Sequence, residues 1–61
     1  MPDDQNSVRK HLSLVRDELR TLDGMLLGDL TQDDLFFLRQ GLELSRDRLQ
    51  FVRDWVDERL R

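Results

Sequence analysis

The chain has 61 residues, no cysteine, one histidine and a formal net charge of −3 from 13 acidic and 10 basic side chains. A chain this short makes one small domain that buries only about 60% of its unfolded surface. Disulfides and thiolate metal sites are excluded, and one histidine cannot complete a zinc site. Oligomerisation is therefore the support that we expect such a chain to use.

The amino-terminal half predicts one amphipathic helix over about residues 7–27, after a frayed segment at 1–5. Asn6 and Ser7 are both good N-caps, and Gly28 can end the helix in the left-handed conformation. The apolar residues recur at spacings of four and three, which is typical of a coiled-coil seam. They are Val8, Leu12, Val15, Leu19, Leu22 and Leu26.

The second half predicts a longer helix over about 32–61, after a turn at 28–31. Thr31 and Asp34 have the spacing of a capping box, which marks a helix start. A turn this short makes the two helices antiparallel neighbours, so residues 6–61 should form an all-α, coiled-coil-like hairpin. The apolar stripe of the second helix comprises Leu35, Leu38, Leu42, Leu49, Val52 and Val56.

A second stripe flanks the first on the second helix, at the same spacing of four and three. It includes large apolar side chains that one neighbouring helix cannot cover, and four of them exposed together would be unusual on a monomer. We therefore expect a homodimer that completes a four-helix bundle, with small or polar residues of the first helix receiving these rings. The predicted interface comprises Phe37, Leu44, Phe51, Trp55, Leu14 and Met25.

This layout resembles that of the Rop-type plasmid regulators in length and architecture, without a shared motif. The resemblance implies a homodimeric four-helix bundle, and RNA binding as one alternative function. The acidic net charge disfavours that alternative, because nucleic-acid affinity comes largely from neutralising phosphates. A groove for the helix of another protein is a further alternative use of the second stripe.

Arginines lie beside the predicted seams at seven-residue intervals. Arg9, Arg16, Arg46 and Arg53 would form an edge that accepts anions, such as carboxylates of a partner chain. The alternative is that carboxylates within the same helix satisfy the arginines of the second helix, through i,i+3 and i,i+4 pairs. The pairs expected under that alternative are Arg39 with Glu43, Glu43 with Arg46, and Arg53 with Asp57.

No catalytic, cofactor-binding or metal-binding motif is present in the sequence. Gly24, Gly28 and Gly41 do not form a phosphate loop, and His11 has no Glu-x-x-His partner for a di-metal site. We therefore expect a non-enzymatic protein–protein interaction module, self-associating and regulatory or structural, without a cofactor. The alternative is an adaptor or inhibitor that docks the second stripe on a larger protein.

The expected location is the cytoplasm. No apolar run approaches the ~20 residues of a membrane span, and the Met1-Pro2-Asp3-Asp4 start lacks the basic and apolar regions of a signal peptide. Nine arginines against one lysine favour a bacterial or phage source with a GC-rich genome.

Overall fold

The computed structural model describes residues 4–61, which form two α-helices, α1 (Gln5–Met25) and α2 (Gln32–Leu60). The helices pack against each other, so the predicted all-helical hairpin is confirmed. The hairpin measures 45 × 17 × 16 Å and its radius of gyration is 14.2 Å, against about 10–11 Å for a compact chain of this length. A rod of this shape has little interior.

The start of α1 lies earlier than the sequence predicted. Asp4 is the N-cap, and its carboxylate accepts a hydrogen bond of 2.8 Å from the backbone N–H of Ser7. The prediction of a cap at Asn6 or Ser7 was wrong, because aspartate caps a helix as well as either and stands one turn upstream. Within the predicted frayed segment 1–5, residues 1–3 lie outside the described residues. Asp4 is the N-cap of α1, and Gln5 is its first helical residue.

The end of α1 also differs from the prediction. The helix ends at Met25 and not near 27, and the backbone N–H of Leu26 donates to the carbonyl of Asp23 at 3.1 Å. Such i,i+3 bonds tighten the last turn and satisfy its free carbonyls. The predicted left-handed cap at Gly28 was wrong, since no described glycine has a positive φ. The connection therefore spans 26–31 and not 28–31.

The start of α2 confirms the predicted capping box. The backbone N–H of Asp34 donates to the Thr31 hydroxyl at 3.2 Å, and the Thr31 N–H donates to the Asp34 carboxylate at 3.0 Å. These reciprocal bonds satisfy two donors that a helix start otherwise leaves free. α2 then continues to Leu60, one residue short of the predicted end at 61.

The contact between the helices, which we call the seam, is narrow. Val8, Val15 and Leu22 of α1 are the buried hydrophobic side chains among the described residues, at 4–6% exposure. On α2 the buried residues are Gly41 and Ser45. A Cβ added to Gly41 would lie 2.9 Å from a Leu22 methyl group, so the small residues allow the two helices to approach closely.

Half of the apolar stripe predicted on α1 therefore faces outward. Leu12, Leu19 and Leu26 are 43%, 45% and 59% exposed, although they alternate in sequence with the buried Val15 and Leu22. The close approach at Gly41 and Ser45 centres the seam on one edge of each predicted stripe and turns the other edge outward. The sequence expectation that each whole stripe lies between the helices was wrong.

Candidate interaction surfaces

The exposed residues of the two predicted apolar stripes form one side of the hairpin, which we call the leucine face. Leu19 from α1 and Leu42 and Leu49 from α2 line a single groove of about 340 Å³, so the two helices contribute to the same side of the hairpin. The members of the face are 39–59% exposed. Leu12, Leu19, Leu42 and Leu49 line its grooves, and Leu26, Leu35 and Val56 continue the same rows at seven-residue spacing. A contiguous apolar surface of this kind is a frequent sign of a protein–protein contact.

Arginines border the leucine face along α2. Arg46 and Arg53 line the groove together with Leu42 and Leu49. They follow those leucines by four residues, so helical geometry places each guanidinium beside the apolar surface. Their aliphatic stems can cover part of the leucines while the charge stays in water.

Arginines also border the leucine face along α1. Arg9 and Arg16 line the surface beside Leu12, and Arg20 and Asp23 join Arg16 along the next part of the helix. Together with Arg46 and Arg53 of α2, these side chains make up what we call the arginine rims. The four arginines predicted to form one edge thus lie on the two borders of the leucine face. Arg20 was not among the predicted site residues, although it lies four residues after Arg16.

Two of the three ion pairs predicted within α2 are present. The Arg39 Nε lies 3.5 Å from a Glu43 oxygen, and the Arg53 Nε lies 3.9 Å from an Asp57 oxygen. These side chains are 54–76% exposed, and exposed pairs contribute little to stability. Within residues 4–61, Arg46 forms no ion pair shorter than 4.0 Å, so its predicted pair with Glu43 is absent.

The opposite side of the hairpin carries what we call the aromatic face, formed by Leu14, Phe37, Leu44 and Phe51. Phe37, Leu44 and Leu14 are 50%, 46% and 41% exposed, and Phe51 is half-buried. Gly41, which lies between Phe37 and Leu44 at the same spacing of four and three, is buried in the seam. Whether the aromatic face binds a partner stays a prediction.

One ring of the aromatic face is partly covered by α1. The His11 ring stacks on Phe51 with 4.3 Å between centroids and 15° between planes. The His11 Nδ1 lies 2.8 Å from the Ser7 carbonyl oxygen, which only accepts, so Nδ1 carries the proton of this bond.

The two remaining residues of the predicted interface, Trp55 and Met25, are half-buried. The guanidinium of Arg59 lies 3.8 Å from the centroid of the Trp55 ring and donates a hydrogen bond of 3.2 Å to the Trp55 carbonyl. This cation–π contact shields one face of the indole within α2 itself. Whether Trp55 and Met25 contact a partner stays a prediction.

The two faces differ in charge. The pockets of the aromatic side are lined by three acids, Asp47, Asp54 and Glu58, and by Arg48, and Arg59 lies over the Trp55 ring beside them. The grooves of the leucine face are lined by five arginines and one acid, Asp23. The hairpin therefore carries a basic apolar side and an acidic apolar side, although the net charge of the chain is −3.

Other kinds of site find no support within residues 4–61. This part of the chain contains no group of three or more His, Cys, Asp or Glu side chains placed to hold a metal ion. Neither of its helices carries an apolar stretch long enough to cross a bilayer. No protein-family model, curated protein or solved structure matches the chain.

Proposed function

We propose that this chain is a non-enzymatic protein–protein interaction module whose leucine face packs against helices of another polypeptide. The observation that carries the proposal is the leucine face itself, with seven apolar side chains that are 39–59% exposed, on a hairpin whose described residues bury three hydrophobic side chains in the seam. Removing a large apolar side chain from water contributes about 1.5–3 kcal/mol. Since about half of each of these side chains is still exposed, a covering polypeptide would gain roughly half of that free energy at each of them.

A second copy of the chain is one candidate for the covering polypeptide, and it would give the four-helix bundle expected from the sequence. Both helices contribute leucines to one side, so the surface can pack against its own copy around a two-fold axis. A homodimer would also provide the support that a 61-residue chain without cysteine needs. The function would then be that of a small self-associating structural or regulatory protein.

Sedimentation equilibrium and peptide binding test the proposal together. A Leu19→Glu/Leu49→Glu variant places two charges on the leucine face, and a Leu14→Glu/Leu44→Glu variant places two charges on the aromatic face as the matched control. The binding probe is a synthetic three-heptad helix with a leucine stripe flanked by glutamine. We expect the wild type to form a dimer or to bind this neutral peptide, and the first variant to lose whichever property is present.

The control variant should keep that property, because its substitutions lie on the other side of the hairpin. Circular dichroism should show both variants helical, which separates loss of binding from loss of fold. A wild-type chain that stays monomeric and binds no neutral peptide would contradict the proposal. So would loss of association in the control variant and not in the leucine variant, because the aromatic face would then be the contact.

A further inference from the structure

The charges beside the leucine face indicate what kind of polypeptide covers it. Resting on the proposed function, we infer that the leucine face accepts an amphipathic helix of another protein, with aspartate or glutamate flanking its apolar stripe. This partner is a different protein and not a second copy of this chain. The arginine rims distinguish the two partners, because the leucines alone would fit either.

The rims lie where the flanks of a docked helix would lie. Arg46 and Arg53 share one groove with Leu19, Leu42 and Leu49, and Arg9, Arg16 and Arg20 border the α1 side. A helix whose apolar stripe entered the groove would bring its flanking positions against both rims. Carboxylates at those positions would meet the guanidinium groups, which bind carboxylates in a planar, bidentate geometry.

The arginines that line the groove are available to a partner in different degrees. Arg46 has no ion-pair partner within residues 4–61, and Arg9 likewise has none. Arg53 and Arg16 contact carboxylates of their own helices, at 3.9 Å and 3.4 Å. Exposed contacts of these lengths are weak and exchange readily with those of a partner carboxylate.

A second copy of the chain fits this surface less well. Its leucine face has the same five rim arginines, which outnumber the three carboxylates beside them, Asp17, Asp23 and Asp57. Face-to-face packing would therefore bring two sets of net positive charge together. Like charges across an interface oppose association and disfavour that partner. An acidic helix removes the conflict and uses the same leucines.

Nucleic acid also fits less well than an acidic helix. Phosphate groups could form ion pairs with the arginines. The surface between the rims, however, is leucine, which offers no polar group to a sugar or a base edge. An acidic amphipathic helix matches both parts of the surface at once. The two-sided arrangement of arginines around an apolar centre is therefore the feature that selects a protein partner.

The test compares three synthetic helices that share one leucine stripe and differ in their flanks, which are glutamate, glutamine or lysine. Fluorescence anisotropy of the labelled peptides against the full chain gives the dissociation constants at low and at physiological salt. We expect the glutamate peptide to bind about tenfold or more tightly than the lysine peptide, because several exposed ion pairs add up to that factor. The difference should shrink as salt screens the charges.

A charge-removal variant identifies the arginines responsible. Arg16→Gln/Arg46→Gln takes one charge from each rim and should abolish most of the preference for the glutamate peptide. Lys10→Gln/Arg61→Gln removes the same total charge from exposed positions outside the rims and should leave the preference unchanged. Equal losses in the two variants would mean that only the net charge matters, and the inference would be overturned.

The outcomes separate this inference from the proposed function. Equal binding of the three peptides, or a dimer through the leucine face that the glutamate peptide does not displace, would overturn the inference and leave the interaction module in place. A monomeric chain that binds none of the peptides would overturn both. Tighter binding of a labelled RNA hairpin than of the glutamate peptide would overturn the inference in favour of a nucleic-acid partner.

Discussion

One apolar sequence pattern supplies both the seam, whose residues are buried, and the leucine face, whose residues are exposed. Val15 and Leu22 are buried to 5% and 4% exposure, whereas Leu19, between them in the same stripe, is 45% exposed. Hydrophobicity does not separate these residues, because all three are aliphatic. The difference in burial comes from the residues across the seam, since Gly41 and Ser45 bring α2 close to one edge of the stripe. A regular apolar repeat therefore gives the width of an apolar surface but not the line of contact.

The largest expected effect comes from truncating matched leucines in the two regions. Leu22→Ala should lower the free energy of unfolding by about 2–4 kcal/mol, because it leaves a cavity in a seam with few other buried side chains. Leu19→Ala should lower it by about 1 kcal/mol or less in the uncovered chain, since its side chain is 45% exposed. Urea unfolding at low protein concentration measures both.

Equal effects of these two substitutions would contradict the difference in burial between the seam and the leucine face, because the leucine face would then be as buried in solution as the seam. Repeating the measurement at higher protein concentration sharpens it. A growing effect of Leu19→Ala with concentration would show that a second copy covers the leucine face, since association makes stability depend on concentration.

The next effect tests the close approach that sets the line of contact. Gly41→Ala should lower the free energy of unfolding by about 1 kcal/mol. Its new methyl group would lie 2.5 Å from a Glu18 carboxylate oxygen and 2.9 Å from a Leu22 methyl, and overpacking outweighs the gain in helix propensity. Gly24→Ala is the matched control, because nothing lies within 4 Å of its added Cβ.

The control substitution should raise the free energy of unfolding by about 0.5 kcal/mol through helix propensity alone. Thermal unfolding followed by circular dichroism suits this pair. If Gly41→Ala stabilised the hairpin as much as Gly24→Ala does, the helices would not be in close contact at residue 41, and the seam would lie elsewhere.

The remaining effect concerns the polar residue of the seam. Ser45 is 3% exposed, and its hydroxyl oxygen has no hydrogen-bond partner within residues 4–61. An unsatisfied buried hydroxyl is unfavourable, so Ser45→Ala should raise the free energy of unfolding. Ser13→Ala, on the exposed side of α1, gives the gain from helix propensity alone. We expect Ser45→Ala to exceed that control by about 1 kcal/mol in urea unfolding, and a smaller gain than the control would contradict the burial of the hydroxyl.

The candidate surfaces could be predicted only in part from the sequence. The pattern identified four of the five arginines of the rims and the large rings of α2, because seven-residue spacing places each set on one side of a helix. It missed the exposure of Leu19, Leu42 and Leu49, since a spacing of four and three is compatible with contact along either edge of the stripe. The small residues Gly41 and Ser45, one turn apart on α2, were the signal that could have located the seam.

The sequence alone determined that this chain is a helical hairpin, where the second helix begins, and that its apolar surface exceeds what one hairpin buries. These features depend on local rules, namely the heptad spacing, the capping box of Thr31 and Asp34, and the shortness of the connection. The tertiary structure decided which half of the α1 stripe is buried, that Gly41 and Ser45 are the buried residues of α2, and that the arginines border the exposed apolar residues. That decision depends on the rotation of each helix about its axis, which small residues and close packing fix only when the two helices meet.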